Sequence, residues 1–96
     1  MIRLIMGAVA KQVIFAGRVQ GVGFRFTVFN IANRCRLTGF VRNAADGSVE
    51  MIVQGCEDDI EKCLVDVRKT YDVDILETRI EEVPINPQYE EFKITF

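Results

Sequence analysis

Apolar positions recur along this chain in two rhythms, and the change from one to the other marks out its elements. Lys11 to Gly17 (K-Q-V-I-F-A-G) is rich in β-forming residues and stops at glycine, which predicts a strand. Residues 18–23 (R-V-Q-G-V-G) predict a loop with two glycines. From Phe24 to Arg36 the period becomes helical. Phe24, Val28, Ile31, Ala32 and Cys35 fall at i, i+4, i+7, i+8 and i+11 on one stripe, and Gly39 follows as the expected stop signal. Two short β-rich runs, Phe40 to Asn43 and Ser48 to Gln54, flank the hairpin turn Ala44-Ala45-Asp46-Gly47. Gly55 ends the second run.

Glu57-Asp58-Asp59 then opens a second helix with acid at its positive end, and Arg68 and Lys69 close it at the negative end. Its buried face is predicted to be Ile60, Cys63, Leu64 and Val67. Val73 to Val83 contains a strand with Ile75, Leu76, Ile80 and Val83 apolar. Pro84 and Pro87 bracket a loop, and Glu91 to Phe96 alternates as a final short strand. The order is β-α-β-β-α-β with an extra C-terminal strand, the split-βαβ, ferredoxin-like sandwich of the α+β class. Two helices are expected on one face of an antiparallel sheet, with the other face partly open. That fold hosts many functions and names none.

Composition narrows the chemistry. With 96 residues, 49% of them hydrophobic, the chain fits one globular domain. A net charge of −2 lacks the basic footprint of a nucleic-acid binder. There is no histidine to act as base, nucleophile or metal ligand. Cys35, Cys56 and Cys63 have no CxxC spacing, so no zinc site and no other metal site is expected. On one helix Cys56 and Cys63 would stand roughly 10 Å apart, too far for a disulfide. An odd count of free thiols points to a reducing, cytoplasmic location. Residues 1–10 end in Ala8-Val9-Ala10 but are too short for a secretory signal. They read as an extension before a domain at 11–96, and no stretch is long enough to span a membrane.

The segment Gly17-Arg18-Val19-Gln20-Gly21-Val22-Gly23-Phe24-Arg25 carries the most chemistry. Gly21 and Gly23 let the backbone turn its N–H groups toward one point, an anion nest. A helix starts directly after it and adds unpaired N–H groups and partial positive charge. Arg25 falls in the first turn of that helix, where a cation opposes the dipole at a cost of roughly 0.3–1 kcal/mol. A bound phosphate would reverse that penalty, and the guanidinium fork suits two oxygens of one phosphate. The segment is neither a P-loop, which needs Gly-Lys-Ser/Thr, nor a dinucleotide fingerprint, because Phe26 stands where glycine is required. Taken alone it also fits a plain glycine-rich turn with an exposed arginine. Asn43, at the end of the neighbouring strand, alone fits ordinary turn chemistry, although its amide could also orient a water.

Together the two segments resemble the signature motifs of the acylphosphatase family. Residues 17–25 read Gly-x-Val-Gln-Gly-Val-x-Phe-Arg, and residues 39–55 read Gly-Phe-Val-Arg-Asn-x-x-x-Gly-x-Val-x-x-x-x-x-Gly. The resemblance covers about residues 12–96. It implies hydrolysis of acyl phosphates to carboxylate and phosphate, without metal, cofactor or covalent phosphoenzyme. The family's catalytic arginine matches Arg25, and its water-binding asparagine matches Asn43. Its phosphate-cradling loop matches Val19, Gln20, Gly21, Val22, Gly23, Phe24 and Arg25. The implied partners are a small acyl phosphate substrate and inorganic phosphate or sulfate as a product-like ligand, bound by a monomer away from nucleic acid and membrane.

The chain departs from the family pattern at Phe15, in its longer N-terminal extension and at Thr70-Tyr71-Asp72-Val73-Asp74, which lacks the usual Gly-Pro turn. Two other readings compete. One is a non-catalytic ferredoxin-like module binding small molecules or RNA, for which Phe40 beside Arg42 is the only hint. The other is a carrier domain like the one that begins the hydrogenase-maturation carbamoyltransferases.

Overall fold

The computed structural model describes residues 7–96. Its elements are β1 (Ala8–Gly17), α1 (Phe24–Arg34), β2 (Thr38–Asn43), β3 (Val49–Cys56), α2 (Glu57–Thr70), β4 (Ile75–Val83) and β5 (Phe92–Ile94). They form one five-stranded sheet in the order β4-β1-β3-β2-β5, the expected ferredoxin-like arrangement. Strand β1 starts at Ala8, where Ala8, Val9 and Ala10 pair with Cys56, Gly55 and Gln54. The last three residues of the expected extension therefore belong to the sheet. Its residues 1–6 lie outside those described.

The core follows the two periods. Val13 and Phe15 of β1 stand in register with Met51 and Val49 of β3, and Val41 of β2 pairs with Met51. These residues are all fully buried. Phe24, Val28, Ile31 and Ala32 of α1 and Ile60, Cys63, Leu64 and Val67 of α2 close over them in one apolar cluster, the faces predicted from their spacing. Burial pushes the Cys63 thiol up to about 12, with the neighbouring Cys35 adding to the effect. All three cysteines are free. On the opposite face, Glu50 takes hydrogen bonds from Arg42 Nε at 2.6 Å and Gln12 Nε2 at 2.7 Å.

Two details differ from expectation. Helix α1 stops at Arg34, and Gly39 is not its stop signal. Arg36 takes the left-handed position (φ 61°), and Leu37 N–H and Arg36 N–H bond back to the carbonyls of Ala32 (3.0 Å) and Asn33 (3.1 Å). This double closure satisfies the helix end without glycine. Gly39 instead permits close pairing of β2 and β3, because a Cβ there would land on the Ile52 carbonyl oxygen. Strand β4 occupies Ile75–Val83, within the stretch expected to contain it, and as an edge strand it buries no side chain fully.

The second concerns the sheet, in which the sequence left the placement of the extra C-terminal strand open. It is mixed, not wholly antiparallel: β5 runs parallel to β2, with Phe40 beside Lys93 and Val41 beside Ile94. Between β4 and β5 the chain crosses one end of the sheet and reverses. Buried Gln54 holds that crossing, donating to Asn86 O (3.0 Å) and accepting from Asn86 N–H (2.8 Å). The reversal sends Thr95 and Phe96 toward the opposite end, where β1 and β2 finish and α1 begins.

Candidate functional site

At that end of the sheet lies a pocket of about 230 Å³ lined by Val19, Gly21, Gly23, Phe24, Arg25, Phe26, Asn43, Ile94 and Phe96. It brings together both signature segments. Other depressions on the surface are larger, but none contains these residues.

The loop is shaped by glycine. Gly21 and Gly23 both take φ 77°, and Gly23 caps α1 by accepting Thr27 N–H at 3.1 Å. No N–H group from Val19 through Phe26 donates to an acceptor among the described residues. Val19 and Phe24 bury their side chains in the core, so what they can offer the pocket is main chain. The helix has no acidic residue in its first turn to neutralise these donors. A row of unpaired donors at a helix N-terminus is an anion site in form.

Gln20 and Val22 do not line the pocket. Gln20 turns its amide to the hairpin, donating from Nε2 to Ala44 O (2.9 Å) and Ser48 O (2.8 Å). It thereby ties the loop to the turn that follows Asn43. Asp46 rigidifies the same turn by accepting Ser48 N–H at 3.0 Å and Ser48 Oγ–H at 2.6 Å. Those two bonds, the hydroxyl first, hold the Asp46 carboxyl below its ordinary value of 3.8.

Arg25 is half-buried. Its Nη1 donates to Thr95 O at 3.1 Å, and its guanidinium lies 4.8 Å from the centre of the Phe96 ring. The remaining guanidinium hydrogens have no carboxylate partner among the described residues. Asn43 pairs with Val49, on the same side of the sheet as the core. Its Oδ1 is buried and has no hydrogen-bond partner. A buried acceptor without a donor is costly, and one water would satisfy it.

Several contacts here were not visible in the sequence. Thr95 and Phe96 read only as the end of an alternating strand. Phe26 read as a residue between stripe positions, yet it stands 61% exposed at the rim, stacked on Phe29. Arg18 was a basic residue of the motif segment, but it pairs away from the pocket with Asp74. Phe40, the hint of an RNA platform, packs edge-on against Tyr89.

Comparison with known proteins bears on this geometry. Residues 11–94 match the acylphosphatase family model. An acylphosphatase of Bacillus licheniformis is 35% identical over 86 residues, spanning 88% of this chain and 96% of that protein. The solved acylphosphatase of Coxiella burnetii superposes with a TM-score of 0.88 at 27% identity, covering 99% of this chain and all of that one. Full-length HypF in its phosphate- and nucleotide-bound form is 33% identical with a TM-score of 0.75. The match covers 93% of this chain but 12% of HypF.

Proposed function

This chain belongs to the acylphosphatase family of hydrolases, and from that premise we propose how residues 11–96 cleave the carboxyl–phosphate bond of a small acyl phosphate. Main-chain N–H groups of the 19–24 loop, chiefly those of the pocket-lining Val19, Gly21, Gly23 and Phe24, bind the equatorial phosphoryl oxygens together with Arg25. Asn43 places a water in line with the departing carboxylate. The observation that carries this reading is the meeting, in one pocket, of unpaired main-chain donors, an uncompensated guanidinium and the orphan Oδ1 of Asn43.

Phosphoryl transfer asks a protein mainly for position and charge stabilisation. Preorganised amides and a fixed guanidinium answer both, and their bonds strengthen as charge gathers on the equatorial oxygens. A carboxylate leaves readily because its conjugate acid has a pKa of about 4. No strong general acid is then required, which agrees with a chain that has no histidine. On this reading neither a metal nor a cofactor takes part. Among the described residues no helix is long and apolar enough to cross a membrane. Free thiols fit a reducing compartment, and the cytoplasm is the proposed location of a monomeric enzyme.

The binding-module alternative loses its support where Arg42 is engaged by Glu50 and Phe40 by Tyr89. The test is phosphate release from benzoyl phosphate in EDTA by the wild type and by Arg25→Ala. The wild type should turn over, and the variant should lose on the order of 10²–10³ in rate. Near-normal turnover by Arg25→Ala would overturn the assignment.

A further inference from the structure

The phosphate loop is braced from outside by a hydroxyl pair that takes no part in the chemistry. Tyr71 follows the last residue of α2, and its backbone is fixed there by three bonds: Tyr71 N–H to Val67 O (3.1 Å), and Asp74 and Ile75 N–H to Tyr71 O (3.0 Å each). Its ring stands edge-on to Phe24 at 4.9 Å, and Phe24 stands edge-on to Phe15 at 5.1 Å. The phenol is thus aimed by the core. Its hydroxyl lies 3.1 Å from Val22 O and 3.3 Å from Thr27 Oγ1.

Proton inventory orders these contacts. A carbonyl only accepts, so Tyr71 must give its single proton to Val22 O. The Thr27 hydroxyl must then donate to Tyr71. The chain of donation runs Thr27 to Tyr71 to Val22, within one face of the loop. The peptide joining Val22 to Gly23 is trans, so its C=O and N–H point in opposite directions. Holding the carbonyl on the Tyr71 hydroxyl turns the Gly23 N–H the opposite way, and Gly23 itself lines the pocket. Gly23 at φ 77° has no side chain to fix that plane by itself.

We propose that Tyr71, oriented by Thr27, is a positioning residue that fixes the Val22–Gly23 peptide so that its N–H faces the phosphoryl group. This rests on the reading of the loop as the phosphate site. The Gly23 amide meets the bound phosphate before and after the reaction, whereas Asn43 and its water lie on another element. Loss of the brace should therefore weaken phosphate binding and raise KM while changing kcat less.

The test compares wild type, Tyr71→Phe, Thr27→Val and the double variant. It measures KM and kcat for benzoyl phosphate and the inhibition constant of inorganic phosphate. Tyr71→Phe keeps the ring on Phe24, and thermal unfolding confirms a folded enzyme. The phosphate inhibition constant and KM should both rise about three- to tenfold, the worth of one hydrogen bond. Thr27→Val should give a smaller rise. The double variant should match Tyr71→Phe, because Thr27 acts only through the phenol. An unchanged inhibition constant in Tyr71→Phe, or additive losses in the double variant, would overturn this inference and leave the loop's function standing. A wild type that phosphate does not inhibit would instead overturn the loop reading, and this inference with it.

Discussion

Arg25 and Thr95 are joined by a hydrogen bond of 3.1 Å between side chain and main chain, across 70 residues of sequence. The bond exists because β5 runs parallel to β2 and so ends beside Asn43, at the mouth of the loop. Thr95 is itself tied to β2 by its N–H to Val41 O at 2.9 Å. The guanidinium is therefore aimed by the sheet, with the Phe96 ring as a second support.

Phe96→Ala removes that support without disturbing the core, since the residue is 96% exposed. An exposed cation–π contact is worth about 0.5–1 kcal/mol, so KM should rise about two- to fivefold. Steady-state kinetics with benzoyl phosphate measure this. An unchanged KM would show that Thr95 alone positions Arg25.

Asn43→Ala should separate chemistry from binding. Without the amide no group holds the attacking water, and kcat should fall on the order of 10²-fold or more. The loop and Arg25 remain, so inhibition by inorganic phosphate should persist. If phosphate affinity fell in step with kcat, the water-placing role would be wrong.

Gly39→Ala should unfold the site's scaffold. Gly39 sits at φ 129°, and an added Cβ meets the Ile52 carbonyl between β2 and β3. Backbone strain and strand separation together should cost about 3 kcal/mol or more. Urea denaturation would show it as a lowered midpoint, and a midpoint like the wild type's would contradict the tight pairing.

Asp46 supplies a pH dependence. Its folded carboxyl titrates below the ordinary value of 3.8, so its stabilising bonds to Ser48 are fully present above that value. They are lost as pH falls through the lower folded value. Thermal melts should therefore show Asp46→Asn below wild type in Tm at neutral pH, with the gap closing below about pH 4. A gap that does not change with pH would assign the effect to something other than the charge.

What could be read in advance was what local spacing encodes. The buried face of α2 follows from one period, and Arg25 and Asn43 sit in two dense motifs. What could not be read depends on approach over long distances. Three residues of β5 carry no mark of direction, so neither the parallel pairing nor the arrival of Thr95 at Arg25 was visible. Tyr71 stood in a stretch noted only for lacking a glycine–proline turn, and its hydroxyl finds Val22 49 residues away. At the end of α1, glycine was the natural expectation for a left-handed position, yet two backbone bonds let Arg36 occupy it. Val22 and Gln20 carried motif identity without pocket contact: one is exposed, and the other is turned to the hairpin.

The central claim is that main-chain amides completed by one guanidinium form a seat for a tetrahedral dianion. A crystal grown in phosphate addresses it directly. The account predicts the anion among the N–H groups of residues 19–25 with Arg25 on two of its oxygens, and a water on Asn43 Oδ1 opposite the leaving position. An unoccupied loop, with Arg25 turned away and phosphate bound elsewhere, would contradict it.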